Sequence, residues 1–288
     1  MDERVKYLKE LRNAYKTKDI VTQLSDFKMI TNSLFKLTQS LFDNNEKFKY
    51  FYTELENKYF RYGIANQSIA KLMGGNKFKL IELDIKITDL FSIFSLTRMQ
   101  IESYALMFYL FYEGVTATEK DFRYDIYKLN GLIKQSKFKV KTEISIGKKN
   151  KILEEIETIK QKITQYETFK NSSEKQQKEM LNPKKAMLNL SRELLTKSGL
   201  ESSRIDEMWA LYSNYAHSEY ISDRQFNSIY KINKSTLEET ILALNINSII
   251  TAKLCIFLCN SFEGVMKKYN ELDTKERVHI EIWNKMYN

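Results

Sequence analysis

Three short segments of the chain carry side chains suited to chemistry. In the first, Arg98 and Glu102 stand one helical turn apart inside an apolar run. Ile87, Leu90, Phe91, Phe94, Ile101, Ala105 and Phe108 recur at helical spacing and mark a buried face. Between Phe94 and Ile101 that pattern asks for an apolar residue at position 98 and finds arginine. A guanidinium on such a face must be paired or it is strongly destabilising. Two readings are open. The pair fixes the packing of a bundle, or it lines a ligand site between helices. Arg ahead of Glu is the poorer order for an intrahelical pair, which points Arg98 towards partners on other helices as well.

The second segment is Trp209-Ala-Leu-Tyr-Ser-Asn-Tyr-Ala-His217. At helical spacing Ala210, Ser213, Asn214 and His217 share a face of small and polar residues, and Met208, Leu211, Tyr212 and Tyr215 share another. A histidine beside Ser and Asn is suited to proton transfer near neutral pH. It is equally suited to a hydrogen-bonded place in an aromatic core. The only other histidine, His279, falls in a charged C-terminal stretch that reads as solvated. In the third segment Arg123 and Tyr127 are four apart, either turned to one cleft for substrate binding or on a solvated helix face.

No Gly-rich phosphate loop, His-Glu-x-x-His or Gly-x-Ser-x-Gly run is present, so neither nucleotide-driven nor zinc chemistry is expected, and no cofactor or metal. Cys255 and Cys259 are four apart on one helix, which suits a disulfide poorly. They read as buried core thiols in a reducing compartment.

The elements that must position these groups are helices. One proline and eight glycines in 288 residues leave too few turn formers for a sheet-rich fold. Hydrophobic residues make up 43 %, enough for a sizeable core. The expected fold is all-α, a multi-helix bundle of long amphipathic helices with an inserted helical hairpin and a short β-hairpin. A long apolar helix spans 82–113. Residues 1–134 and 200–288 form the main bundle; 135–199 form an inserted basic flap and helical hairpin. Within 135–151, Phe138, Val140, Ile144 and Ile146 alternate with polar residues as in a β-hairpin or flap. Six lysines make it the most basic stretch, either a solvated loop or a surface for a polyanion.

The net charge of +9 favours acidic partners, or reflects the Lys, Asn, Ile and Tyr usage of an AT-rich genome. The charged N-terminus predicts no secretory signal, and the expected location is cytoplasmic. The apolar stretches 90–112 and 241–259 carry polar and charged residues at mid-length and read as core helices, so no membrane partner is expected.

The runs Leu96-Thr-Arg98-Met-Gln-Ile-Glu102, Arg123-Tyr124 and Tyr212-Ser-Asn-Tyr-Ala-His217 together resemble a family of uncharacterised bacterial helical proteins with an Arg-x-x-x-Glu helix and a later Ser-x-Tyr-x-His helix. The resemblance covers about 68–220. The later run is also similar to the catalytic helix of HEPN domains (higher eukaryote and prokaryote nucleotide-binding). These are helical bundles, often dimeric, and many are metal-independent ribonucleases of stress or phage-defence systems. Their helix carries Arg, often a following Asn, and a His some four to six residues after the Arg. Asn214 and His217 match; positions 211–213 are Leu, Tyr and Ser, so an arginine would have to come from another helix, as Arg98. The resemblance implies RNA as partner, a homodimer, His217 as general acid or base, and Arg98 oriented by Glu102. It implies Ser213 and Asn214 as substrate-positioning groups. The rival expectation is a non-enzymatic interaction or scaffold protein whose buried polar residues serve packing alone.

Overall fold

A computed structural model describes residues 2–43, 51–79, 84–188, 191–200, 203–217, 219–230 and 236–286. Among them fourteen α-helices and one two-stranded sheet make an all-α protein. The chain divides into two compact units, 1–104 with 199–288, and 105–198.

The first unit is built on helix α12 (Leu237–Ser261), which is apolar on every side. Such a helix has no solvent face and belongs in the middle of a core. It lies against α2 (Ile20–Asp43), α13 (Glu263–Glu271) and α14 (Thr274–Lys285), and α3 (Phe51–Leu72) covers α2. By length and hydropathy α12 is the one described helix able to cross a membrane, yet most of its apolar stretch is buried inside the unit. Some of its polar groups are met by neighbours, while Asn245 Oδ1 and Asn247 Oδ1 find no partner among the described residues. Asn247 Nδ2 donates to Thr97 Oγ1 at 2.9 Å, and Asn66 Nδ2 on α3 donates to Thr251 Oγ1 at 2.9 Å. Gln100 Nε2 donates to Asn66 Oδ1 at 2.7 Å and to the Tyr62 carbonyl at 2.9 Å. Cys255 and Cys259 are free and buried, and burial pushes the Cys259 thiol up to about 12.

His279 is not solvated. It is fully buried on α14, with its ring stacked on Tyr7 at 3.5 Å between centroids. Its Nδ1 lies 2.7 Å from the Lys275 carbonyl and its Nε2 3.2 Å from Asp26 Oδ1. A carbonyl can only accept, so Nδ1 carries a proton, and a further proton must lie between Nε2 and the carboxylate. Tyr7 OH donates to Asp26 Oδ2 at 3.1 Å, and Trp283 Nε1 donates to Tyr7 OH at 3.1 Å. The cluster ties α1 (Glu3–Lys16) and α14 to α2.

The long apolar helix begins later than its periodicity suggests. Strand β2 (Asp84–Ile87) pairs antiparallel with β1 (Asn76–Lys79), Asn76 opposite Ile87. Helix α4 then runs Leu90–Met107. Asp89 sets the start: its Oδ1 accepts from Ser92 N at 3.0 Å and its Oδ2 from Ser92 Oγ at 2.7 Å. Gly75, at φ +70, makes the turn between α3 and the strand in a conformation that favours glycine. The expected helix start at 82 lies outside the described residues.

In the second unit α5 (Ala117–Ser136) and α6 (Glu143–Ile163) form a helical hairpin. Phe122, Ile126 and Leu129 meet Ile156, Ile159 and Ile163 in one buried cluster. Helix α5, assigned to the main bundle by its sequence, packs here because the isoleucine stripe of α6 matches its own. Phe169 of α7 (Glu167–Lys170) and Met180 of α8 (Glu174–Leu181) close the cluster. The β-hairpin expected around 138–146 is replaced by the start of α6, where Thr142 and Ser145 form a capping box.

Residues Phe108–Tyr112 form a π turn, with Glu113 N donating to the Phe108 carbonyl at 2.8 Å. The wider turn frees carbonyls, and cations take them up: Arg123 Nη1 reaches the Tyr109 carbonyl at 3.1 Å and Lys120 Nζ the Phe111 carbonyl at 3.0 Å. Arg123 is buried, and pairs with Glu113 at 2.5 Å and Glu119 at 2.9 Å, while Lys197 reaches Glu113 at 3.0 Å. Burial raises the Glu113 carboxyl, but hydrogen bonds from Lys197 and Arg123 outweigh it and leave the group below the usual carboxylate range.

Two stability predictions result. Replacing buried His279 by Ala should cost about 3 kcal/mol in urea unfolding, and exposed His217→Ala less than about 0.5 kcal/mol; similar losses would refute the buried pair. Glu113 is held ionised, so its stabilisation is present above the unfolded carboxylate value and disappears as pH falls through the lower folded value. Glu113→Gln should therefore be less stable than the parent at neutral pH, and the gap should narrow in acid. A gap that widened would contradict the assignment.

Candidate functional site

The expected site residues of the first unit sit on α4 and on α10 (Ser203–Ala216). Aromatic rings fix how the two helices meet. Phe94 stacks on Tyr212 at 4.6 Å between centroids and meets Tyr215 edge-on at 4.8 Å. Phe91 contacts Tyr215 at 5.1 Å and Phe226 at 5.3 Å, the latter from α11 (Tyr220–Tyr230). Rings this large and this close hold register as well as bury area. The consequence falls one turn further along α4, where Arg98 comes level with Ser213.

Arg98 Nε donates to Ser213 Oγ at 2.9 Å, and Nη2 donates to Glu102 Oε1 at 2.9 Å. Ser213 Oγ in turn donates to the Trp209 carbonyl at 2.7 Å, which fixes the direction of its lone pairs. The side chains of Arg98 and Glu102 are 20 % and 40 % exposed. The guanidinium is therefore oriented by two partners, with Nη1 unbonded among the described residues. An ion pair this open adds only about 0.3–0.5 kcal/mol to stability. An oriented guanidinium with a free donor group is chemically suited to an anion.

His217 ends the α10 turn, its backbone N–H donating to the Ser213 carbonyl at 3.1 Å. Its ring is exposed and makes no hydrogen bond to Arg98 or Glu102. The aromatic-core reading of His217 thus does not hold, and it stands on the Ser213 face, one turn on. Asn214 is half-buried beside it. Trp209 Nε1, one turn before Ser213, is buried and finds no acceptor among the described residues.

No family model, curated protein or solved structure matches this chain.

Arg123 and Tyr127 belong to the second unit. Arg123 is engaged by Glu113, Glu119 and the Tyr109 carbonyl, with its guanidinium 4.4 Å from the centre of the Tyr109 ring. It is a structural cation. Tyr127 is half-buried, 6.2 Å from Tyr124 between ring centres. Ser213, expected to position substrate, instead holds Arg98. The roles of Glu113 and Lys197 were missed, since the π turn that brings Glu113 to Arg123 has no signature in the residues.

The two arginines should separate cleanly. Arg98→Met should change unfolding stability by no more than about 1 kcal/mol. Arg123→Met, which strips buried Glu113 of one of its two cationic partners, should cost about 3–5 kcal/mol. Equal losses in denaturant titration would remove the case for Arg98 as a site residue.

Proposed function

We propose that this chain is a HEPN-like helical protein that binds RNA and cleaves it at the Arg98–Ser213 face of the first unit. What supports the reading is the single hydrogen bond from Arg98 Nε to Ser213 Oγ. HEPN-like helices carry an arginine four to six residues before the histidine. Here Ser213 stands four before His217, and the guanidinium resting on it comes from α4 instead of from the same helix.

In the proposed reaction His217 takes the proton of a ribose 2′-hydroxyl. The 2′-oxygen bonds to the adjacent phosphorus, and the bond to the 5′-oxygen breaks. The leaving oxygen collects a proton from solvent or from protonated His217, so the products are a 2′,3′-cyclic phosphate and a 5′-hydroxyl end. Arg98, through Nη1, neutralises charge that builds on the phosphoryl oxygens. Glu102 and Ser213 keep it aimed, and Asn214 is placed to contact the substrate. Bacterial stress or phage defence is the setting this reading implies.

A second reading has an observation of its own. Glu102 is paired with Arg98 within one helix, and Asn66, Gln100, Asn247 and Thr251 are locked in hydrogen bonds that serve packing. On that account the chain is a non-enzymatic interaction protein.

Incubation of the protein with total RNA in EDTA distinguishes them. Cleavage with 2′,3′-cyclic phosphate ends is expected, slowed about a hundredfold or more in His217→Ala and similarly in Arg98→Met. No cleavage by the parent chain, or equal cleavage by all three, would favour the second reading.

A further inference from the structure

The second unit carries most of the net charge. Residues 105–198 hold 19 Lys and Arg against 12 Asp and Glu, +7 of the chain's +9. Five of its twelve carboxylates, Glu113, Asp125, Glu155, Glu157 and Glu167, each hold a lysine. Of the lysines without a carboxylate partner among the described residues, Lys134, Lys137, Lys139, Lys141, Lys148, Lys149 and Lys151 gather where α5 turns into α6, while Lys120, Lys175 and Lys178 lie elsewhere on the unit. Lys184 and Lys185 join the α5 side of this end. Asn130 Nδ2 donates to the Pro183 carbonyl at 2.7 Å, one turn before Lys134.

Large apolar side chains stand out among these cations. Phe138 is 68 % exposed, Ile144 75 %, and Ile146 and Leu153 45 % each. The turn is not a loose loop. Phe138 N donates to the Gln135 carbonyl at 3.1 Å, Lys149 Nζ reaches the Phe138 carbonyl at 3.4 Å, and the Thr142 box starts α6. The apolar groups are thus presented to solvent on an ordered frame, at a cost in water.

Charge alone would suit a phosphate backbone. The isoleucines and the leucine decide against it, because aliphatic side chains have no ring face to stack on a base. A lipid surface with anionic headgroups answers both features. Apolar side chains enter the headgroup–acyl boundary, and lysine stems reach back to the phosphates.

We propose that the α5–α6 turn of the second unit is a peripheral docking surface for an anionic lipid bilayer, entered by Phe138, Ile144 and Ile146 and held by the surrounding lysines. No helix spans the bilayer in this arrangement, so it differs from the membrane spans that the sequence argues against. It does not depend on the role given to Arg98.

The test is co-sedimentation of the full chain with vesicles of phosphatidylcholine alone, and of three parts phosphatidylcholine to one part phosphatidylserine. Binding to the second kind only is expected, weakening as salt is raised. Combined Phe138→Ser and Ile144→Ser should lower it at least about tenfold. Combined Lys137→Glu, Lys139→Glu and Lys141→Glu should lower it on the order of a hundredfold. All five positions are exposed, so both variants should melt with the parent. Failure to sediment with the serine-containing vesicles at low salt overturns the proposal. So does full binding by the Ser variant, which would leave bare charge attraction. Binding of the same lysines to RNA in place of vesicles would also overturn it and give this surface to nucleic acid. Because RNA cleavage is read at His217, either proposal can fail while the other stands.

Discussion

A buried polar group left without a partner costs about 1–3 kcal/mol, and a buried charge more. Both units of this chain are organised by that penalty. In the first, α12 is so apolar that it must be enclosed, yet it carries Asn247 and Thr251 into the core. Thr97 on α4 and Asn66 on α3 meet them there. The hydrophobic surface supplies the drive to enclose α12; the amides select the register. In the second unit Arg123 plays the corresponding part, joining the π turn to α5 through Glu113, Glu119 and the Tyr109 carbonyl.

Against that background Arg98 stands apart. Its partners are partly exposed, its Nη1 is unbonded among the described residues, and its expected contribution to stability is small. Arg98 and Arg123 look alike in the sequence, each four residues from a carboxylate on a helix. The difference comes from burial: one is enclosed by a π turn and a lysine-braced glutamate, and the other is partly exposed beside a serine.

How much of this could be read beforehand depends on the range of the interaction. The break in apolar periodicity at Arg98 was legible because it is local, and so was its need for a partner on another helix. The all-α class followed from the scarcity of turn formers. The β-hairpin was misplaced because Phe138, Val140, Ile144 and Ile146 alternate as well as Asp84 to Ile87 do. What decides is Thr142 capping a helix, a side-chain bond that alternation does not report. The start of α4 was misjudged for the same reason, since Asp89 sits inside an apolar pattern that continues across it. His279 was illegible for another reason. Its partner Asp26 lies 253 residues away, and nothing near either residue announces the other.

That separation also bears on how the chain is made. The clasp of Tyr7, Asp26, His279 and Trp283 joins the two extremes of the sequence, with Trp283 bonded to Tyr7 across 276 residues. During synthesis the first helices therefore emerge long before the partners that bury them. The second unit is continuous in sequence, 105–198. Its hairpin can form at once from neighbours in sequence, whereas α2 must wait with an uncovered face until α12 and α14 arrive. The core around α2 is thus closed by contacts of long sequence separation, and the hairpin of the second unit by contacts of short separation.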